Sequence, residues 1–137
     1  MENLACLFRA AQLYGHAAHH NARGMTSYQD HEAFAELYAA YEEAYDSTIE
    51  QMIGLKMNPN IPNITKCACD KATSLADPAL FKNEVAFGVL MQLELAIQQE
   101  IAAIYDASDI GTQNMLAQFV EDSQHRANYK IGQRLAV

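Results

Sequence analysis

A chain of 137 residues has room for one hydrophobic core and little more, which excludes a two-domain enzyme. Apolar residues make up 50% of it and charged residues 19%, too hydrophobic a balance for an intrinsically disordered chain. Nine Lys and Arg stand against seventeen Asp and Glu, so a formal charge of −8 repels nucleic acid and anionic membrane and favours cations as ligands.

From residue 4 to 22, Leu4, Leu7, Phe8, Ala11, Tyr14, Gly15 and Ala18 recur at three- and four-residue steps, the stripe of an amphipathic helix. Asn21 to Gln29, with Gly24 and Thr26-Ser27, breaks the pattern, and Asp30 is expected to cap a second helix. That helix carries Phe34, Tyr38, Tyr41, Tyr45, Thr48, Met52 and Leu55 on one face. Lys56 to Asp77 is too long for a structureless loop in a small domain, so a short helix is expected within it, around 64 to 74. Asp77-Pro78 reads as an N-cap followed by proline at the first helical position, opening a third helix that runs to about Ala107 with Leu90, Leu93, Ile97, Ile101 and Ile104 inward. After the turn Ser108-Asp109-Ile110-Gly111, Thr112 is expected to cap a fourth helix bearing Leu116, Val120, Ala127, Ile131 and Leu135. Four helices with short first and last connections and one long crossover describe a single all-α domain over residues 1–137, a ferritin-like four-helix bundle with a short helix in the crossover.

No window approaches the roughly 20 apolar residues of a membrane span, and Met1 to Leu4 lacks the cationic start of a signal peptide, so a cytoplasmic chain is expected. The cysteines Cys6, Cys67 and Cys69, odd in number, suggest small buried or loop thiols rather than a disulfide framework.

Candidate chemistry concentrates in the first half. His16, His19, His20 and His31 flank the first turn, and Asp46 and Glu50 lie one helical turn apart on the second helix, a spacing at which two carboxylates can grip a cation while imidazole adds affinity for iron, zinc or manganese. A solvated helix face is the plain alternative for such a carboxylate pair. The Glu-x-x-His pairs of a single-subunit di-iron bundle are missing, since Glu121 and His125 have the wrong spacing. Fifteen residues separate His31 from Asp46, roughly 22 Å along a helix, so they cannot hold one ion within one chain. His19 and His31 can converge across the turn. If they meet Asp46 and Glu50, the carboxylates must come from another subunit.

The stretch Ala18-His19-His20-Asn21-Ala22-Arg23-Gly24, followed by Asp30-His31-Glu32 and Asp46-Ser47-Thr48-Ile49-Glu50, resembles the Dps family, the mini-ferritins of bacteria and archaea. The resemblance is clearest over residues 4 to 55. It implies a hollow homo-oligomer of twelve subunits in which iron(II) is oxidised, usually by hydrogen peroxide, at sites shared across a two-fold axis, and stored as a ferric mineral. The ligand roles it implies fall on His19, His31, Asp46 and Glu50. The sequence departs from the family's pattern at His20, where Trp or Phe is usual, at Ala35, where an acidic residue is usual, and at Gln51, where Arg is common. His20 or Glu36 could substitute for the ligand that Ala35 lacks. Asp109, in the turn that gathers around the three-fold axes in that family, would be a pore residue. A ferritin-like structural or interaction protein without catalysis, and a zinc or manganese binding bundle without redox function, are the competing readings. The lysine-rich tail that binds DNA in many Dps proteins is missing, and Arg126, Lys130 and Arg134 on the last helix are read as charges complementing the helix dipole, so DNA binding is not expected.

Overall fold

The structure, a computed structural model, describes residues 1–136, and these form helices joined by turns, with no strand among the described residues. The helices are α1 (Glu2–Asn21), α2 (Ser27–Gly54), α3 (Ile61–Leu75), α4 (Asn83–Ile104) and α5 (Ile110–Gln124), the last continuing through a π-helical stretch (His125–Ile131) into a final α-turn, α6 (Gly132–Leu135).

Hydrogen bonds and contacts between helices give their directions. Along α1 and α2, His19 meets His31, Gly15 faces Tyr38 and Arg9 lies over Tyr45, an antiparallel pair. Asn83 bonds Asp30 and Tyr41 bonds Glu94 at the same offset of 53 residues, so α2 and α4 run parallel. Gln51 with Thr112, Glu36 with Lys130 and Asp30 with Arg134 make α5 and its continuation antiparallel to α2. Parallel α2 and α4 require the chain to travel the length of the bundle between them, and the crossover does so with α3 packed on α1.

The apolar stripes meet in one core. Leu4, Phe8, Tyr14, Phe34, Tyr41, Phe87, Leu90, Ile97, Ile101 and Leu116 are fully buried within it. Tyr14 keeps a buried hydroxyl without a partner among the described residues, and burial pushes its pKa up to about 12. Gly24, at φ +89, takes the left-handed turn between α1 and α2 that a residue with Cβ would resist.

Several local expectations are corrected. Asp30 is no cap, because α2 begins earlier, at Ser27, and the Asp30 side chain is buried in its first turn. Asp77-Pro78 does not open a helix. The Asp77 carboxylate accepts the Ala79 amide, the Leu80 amide bonds the Asp77 carbonyl, and the chain turns before α4 starts at Asn83. Asp109 rather than Thr112 occupies the cap position of α5. Cys6 and Cys67 are not free thiols: they are joined in a disulfide, because the packing of α3 on α1 brings their Cα atoms within 5.9 Å despite a separation of 61 residues. Cys69 is free and exposed. The described helices include none long and apolar enough to cross a membrane.

Candidate functional site

The end of α1 and the start of α2 are joined by a turn of only five residues, which sets the last turn of one helix beside the first turn of the other. His19 and His31 meet there. Their rings stack with centroids 3.6 Å apart and planes inclined at 25°. Each holds the other's backbone: His19 Nδ1 lies 2.8 Å from the His31 carbonyl oxygen, and His31 Nδ1 lies 2.8 Å from the His19 carbonyl oxygen. A carbonyl can only accept, so each Nδ1 carries the proton and donates it. In the neutral ring this leaves Nε2 with the lone pair, the tautomer in which imidazole ligates a metal, with the backbone acting as the orienting outer partner.

The surroundings of the pair are aromatic. Tyr38 stands edge-on to His19 at 5.5 Å, and His20 packs edge-on to the same ring at 5.1 Å. His16 stacks on Tyr38 and approaches His20. His19 and His31 are half-buried, whereas His16 and His20 are exposed.

Asp46 and Glu50 are exposed together on the distal half of α2. Because α2 is one uninterrupted helix, the fifteen residues from His31 to Asp46 amount to roughly 22 Å, and the two halves of the constellation do not meet within the chain. No three His, Cys, Asp or Glu side chains among the described residues converge to hold an ion. Glu36 pairs with Lys130 at 3.4 Å and is not brought to the histidines. Gln51 donates to Thr112 Oγ1 at 3.1 Å, tying the distal end of α2 to the start of α5. Asp109 is exposed at that start, where the Thr112 hydroxyl, and then the Thr112 and Gly111 amides, lower its carboxyl pKa. His125 lies elsewhere, in a groove of about 770 Å³ between α2 and α5 whose rim carries Glu43, Glu121 and Asp122.

Two charged clusters were missed by the sequence reading. Glu94, fully buried in α4, accepts from the Tyr41 hydroxyl at 2.8 Å, the Ser123 hydroxyl at 2.8 Å, and Arg126 Nε and Nη2 at 2.6 and 3.1 Å. A signal was present, since Glu94 interrupts the buried stripe of α4 at one turn from Leu90. Asp30 is bound in the same way by Arg134, Thr26 and Asn83. These pairs correct the reading of Arg126, Lys130 and Arg134 as complements of the helix dipole: Arg126 binds Glu94, Lys130 binds Glu36, and Arg134 binds Asp30 and Glu84.

Neither family models, nor curated proteins, nor solved structures gave a match to this chain.

Proposed function

We propose that the chain is the subunit of a mini-ferritin that oxidises iron(II) at sites shared between two copies and stores the ferric product inside a closed homo-oligomer. His19 and His31 of one copy would bind the iron substrate with Asp46 and Glu50 of a two-fold-related copy. The observation that carries this reading is the reciprocal His19–His31 pair, whose backbone bonds commit both Nδ1 atoms and leave the Nε2 atoms of two stacked rings for a ligand. The parallel α2 and α4 with a helical crossover support a ferritin-like bundle, and the exposed carboxylates roughly 22 Å along α2 support a site completed by a second copy. Asp109 stands exposed beside the α4–α5 turn, where the Dps resemblance would put a pore, and an exposed carboxylate there would meet an incoming cation.

The test is an anaerobic iron(II) titration of the purified protein followed by a peroxide pulse, in which iron gives up electrons to peroxide and the ferric absorbance reports the rate. His31→Ala and Asp46→Ala are each expected to slow oxidation about tenfold or more, and His125→Ala to leave it unchanged. Full activity in Asp46→Ala would overturn the shared site. Tight binding without oxidation would favour the zinc or manganese bundle.

A further inference from the structure

We propose that His16 and His20 form a second metal site, separate from the His19–His31 pair, for one divalent transition ion of the copper, nickel or zinc class. The two residues are one helical turn apart on α1, so their side chains rise from the same face. Their ring centroids lie 4.8 Å apart. Imidazole nitrogens bind such ions at about 2.1 Å, which sets the centroids of two neighbouring rings on one ion roughly 4.5 Å apart at a right angle and about 5.3 Å at the tetrahedral angle. The centroid spacing is therefore within the range of two rings chelating one ion.

The contrast with the neighbouring pair separates the two sites. His19 and His31 stack face to face at 3.6 Å, each with one nitrogen committed to a carbonyl. His16 and His20 are exposed and make no hydrogen bond among the described residues, so all four ring nitrogens are open to an ion. Preorganisation comes from Tyr38, on which the His16 ring lies at 4.4 Å and 21°. The helices lie close together here, with Gly15 of α1 facing Tyr38 of α2 so that a Cβ on Gly15 would stand 3.4 Å from the Tyr38 Cβ. Holding one ring in place reduces the freedom lost when the ion binds.

No third His, Cys, Asp or Glu joins the two rings among the described residues. Water must then complete the coordination. An open two-nitrogen site of this kind favours copper(II) over the other divalent ions of its row, because affinity at a nitrogen site climbs to copper and falls at zinc. The site does not depend on iron oxidation or on a second copy of the chain.

Copper(II) alone is the probe, titrated calorimetrically into the assembled protein, with the electron paramagnetic resonance signal reporting nitrogen ligation. Wild-type protein is expected to bind one copper per chain that His16→Gln and His20→Gln each weaken roughly 100-fold or more, the loss that follows when a chelate becomes a single ligand. His31→Gln is expected to leave that copper in place while slowing iron oxidation. Both side chains are exposed, and circular dichroism melting checks that the variants keep the fold. The proposal is overturned if neither variant, or only one, weakens the copper, or if His31→Gln abolishes the same equivalent.

Discussion

At the scale of single residues, the least replaceable side chains outside the histidine cluster are the buried ionic ones. Glu94 has no exposure, and four donor contacts from Tyr41, Ser123 and Arg126 satisfy its carboxylate. Taking Arg126 away strands that charge in the core, so Arg126→Met is expected to cost about 3 to 5 kcal/mol in urea unfolding. Removing both charges together, in Glu94→Leu with Arg126→Met, is expected to recover most of the loss. A double variant as unstable as the sum of its singles would contradict this. Asp30 makes a second prediction, about pH. Burial, the largest influence on its carboxyl, pushes the pKa up, but the bonds from Arg134, Thr26 and Asn83 outweigh it, and the result lies below the ordinary 3.8. A carboxyl whose pKa is lowered by folding contributes its stability in full above the unfolded value and loses it as pH falls through the folded one. Wild-type protein is therefore expected to lose stability more steeply than Asp30→Asn below about pH 4, with the gap between them closing as acid is added. Parallel acid-unfolding curves would remove Asp30 as the cause.

At the scale of helices, the ends reveal which positions the chain holds under strain. The last turn of α2 closes with the Lys56 amide bonded to the Ile53 carbonyl and the Met57 amide to the Met52 carbonyl, the paired bonds of a Schellman motif. That motif needs a left-handed residue just past the helix, and Lys56 supplies it at φ 59. A side chain with Cβ resists that conformation by roughly 1 to 2 kcal/mol, a cost glycine avoids. Lys56→Gly is expected to stabilise the protein by about 1 kcal/mol, after allowing for glycine's greater freedom when unfolded, seen as a higher urea midpoint at unchanged slope. A lower midpoint would mean that the lysine side chain makes a contact worth more than the strain. The crossover is anchored differently. The Asn60 side chain caps the Asn63 amide, Pro62 sits in the first turn of α3, and the disulfide from Cys67 to Cys6 holds the helix against α1. Only Ile64, Ala68 and Ala72 of α3 are buried, so the covalent link supplements a small apolar contact.

For the whole molecule, the central expectation is assembly, because the two halves of the proposed iron site face different places on one chain. Light scattering is expected to return a closed particle of about 180 kDa, twelve times the 15.2 kDa chain, built from two-fold dimers. A stable monomer would remove the shared site while leaving the His16–His20 site untouched. The particle is also expected not to retard duplex DNA at moderate salt. Non-specific binding rests on phosphate neutralisation by Lys and Arg, and Arg126, Lys130 and Arg134 are already committed to Glu94, Glu36, Asp30 and Glu84 within the chain.

What the sequence determined alone is what depends on near neighbours in the chain. Three- and four-residue steps placed Leu4 to Ala18, Phe34 to Met52 and Leu90 to Ile101 on inward faces, because a helix fixes the angle between successive side chains. The short turn around Gly24 made the meeting of His19 and His31 legible, and the fifteen residues to Asp46 ruled out a site within one copy. Tertiary structure decided whatever joins distant segments. Cys6 reaches Cys67, Asp30 reaches Arg134 and Glu94 reaches Arg126 only after the bundle closes, and no local periodicity carries those distances. The same cause explains the misplaced start of α4. Asp77-Pro78 satisfies a local rule for opening a helix, yet Asn83 bonds the Arg23 carbonyl and Asp30, and Asn21 bonds the Phe81 carbonyl. Those bonds hold Phe81 and Asn83 against the α1–α2 turn, so the chain reaches α4 by way of a turn over 77–80, and the polar groups they satisfy outweigh the weaker preference of a cap.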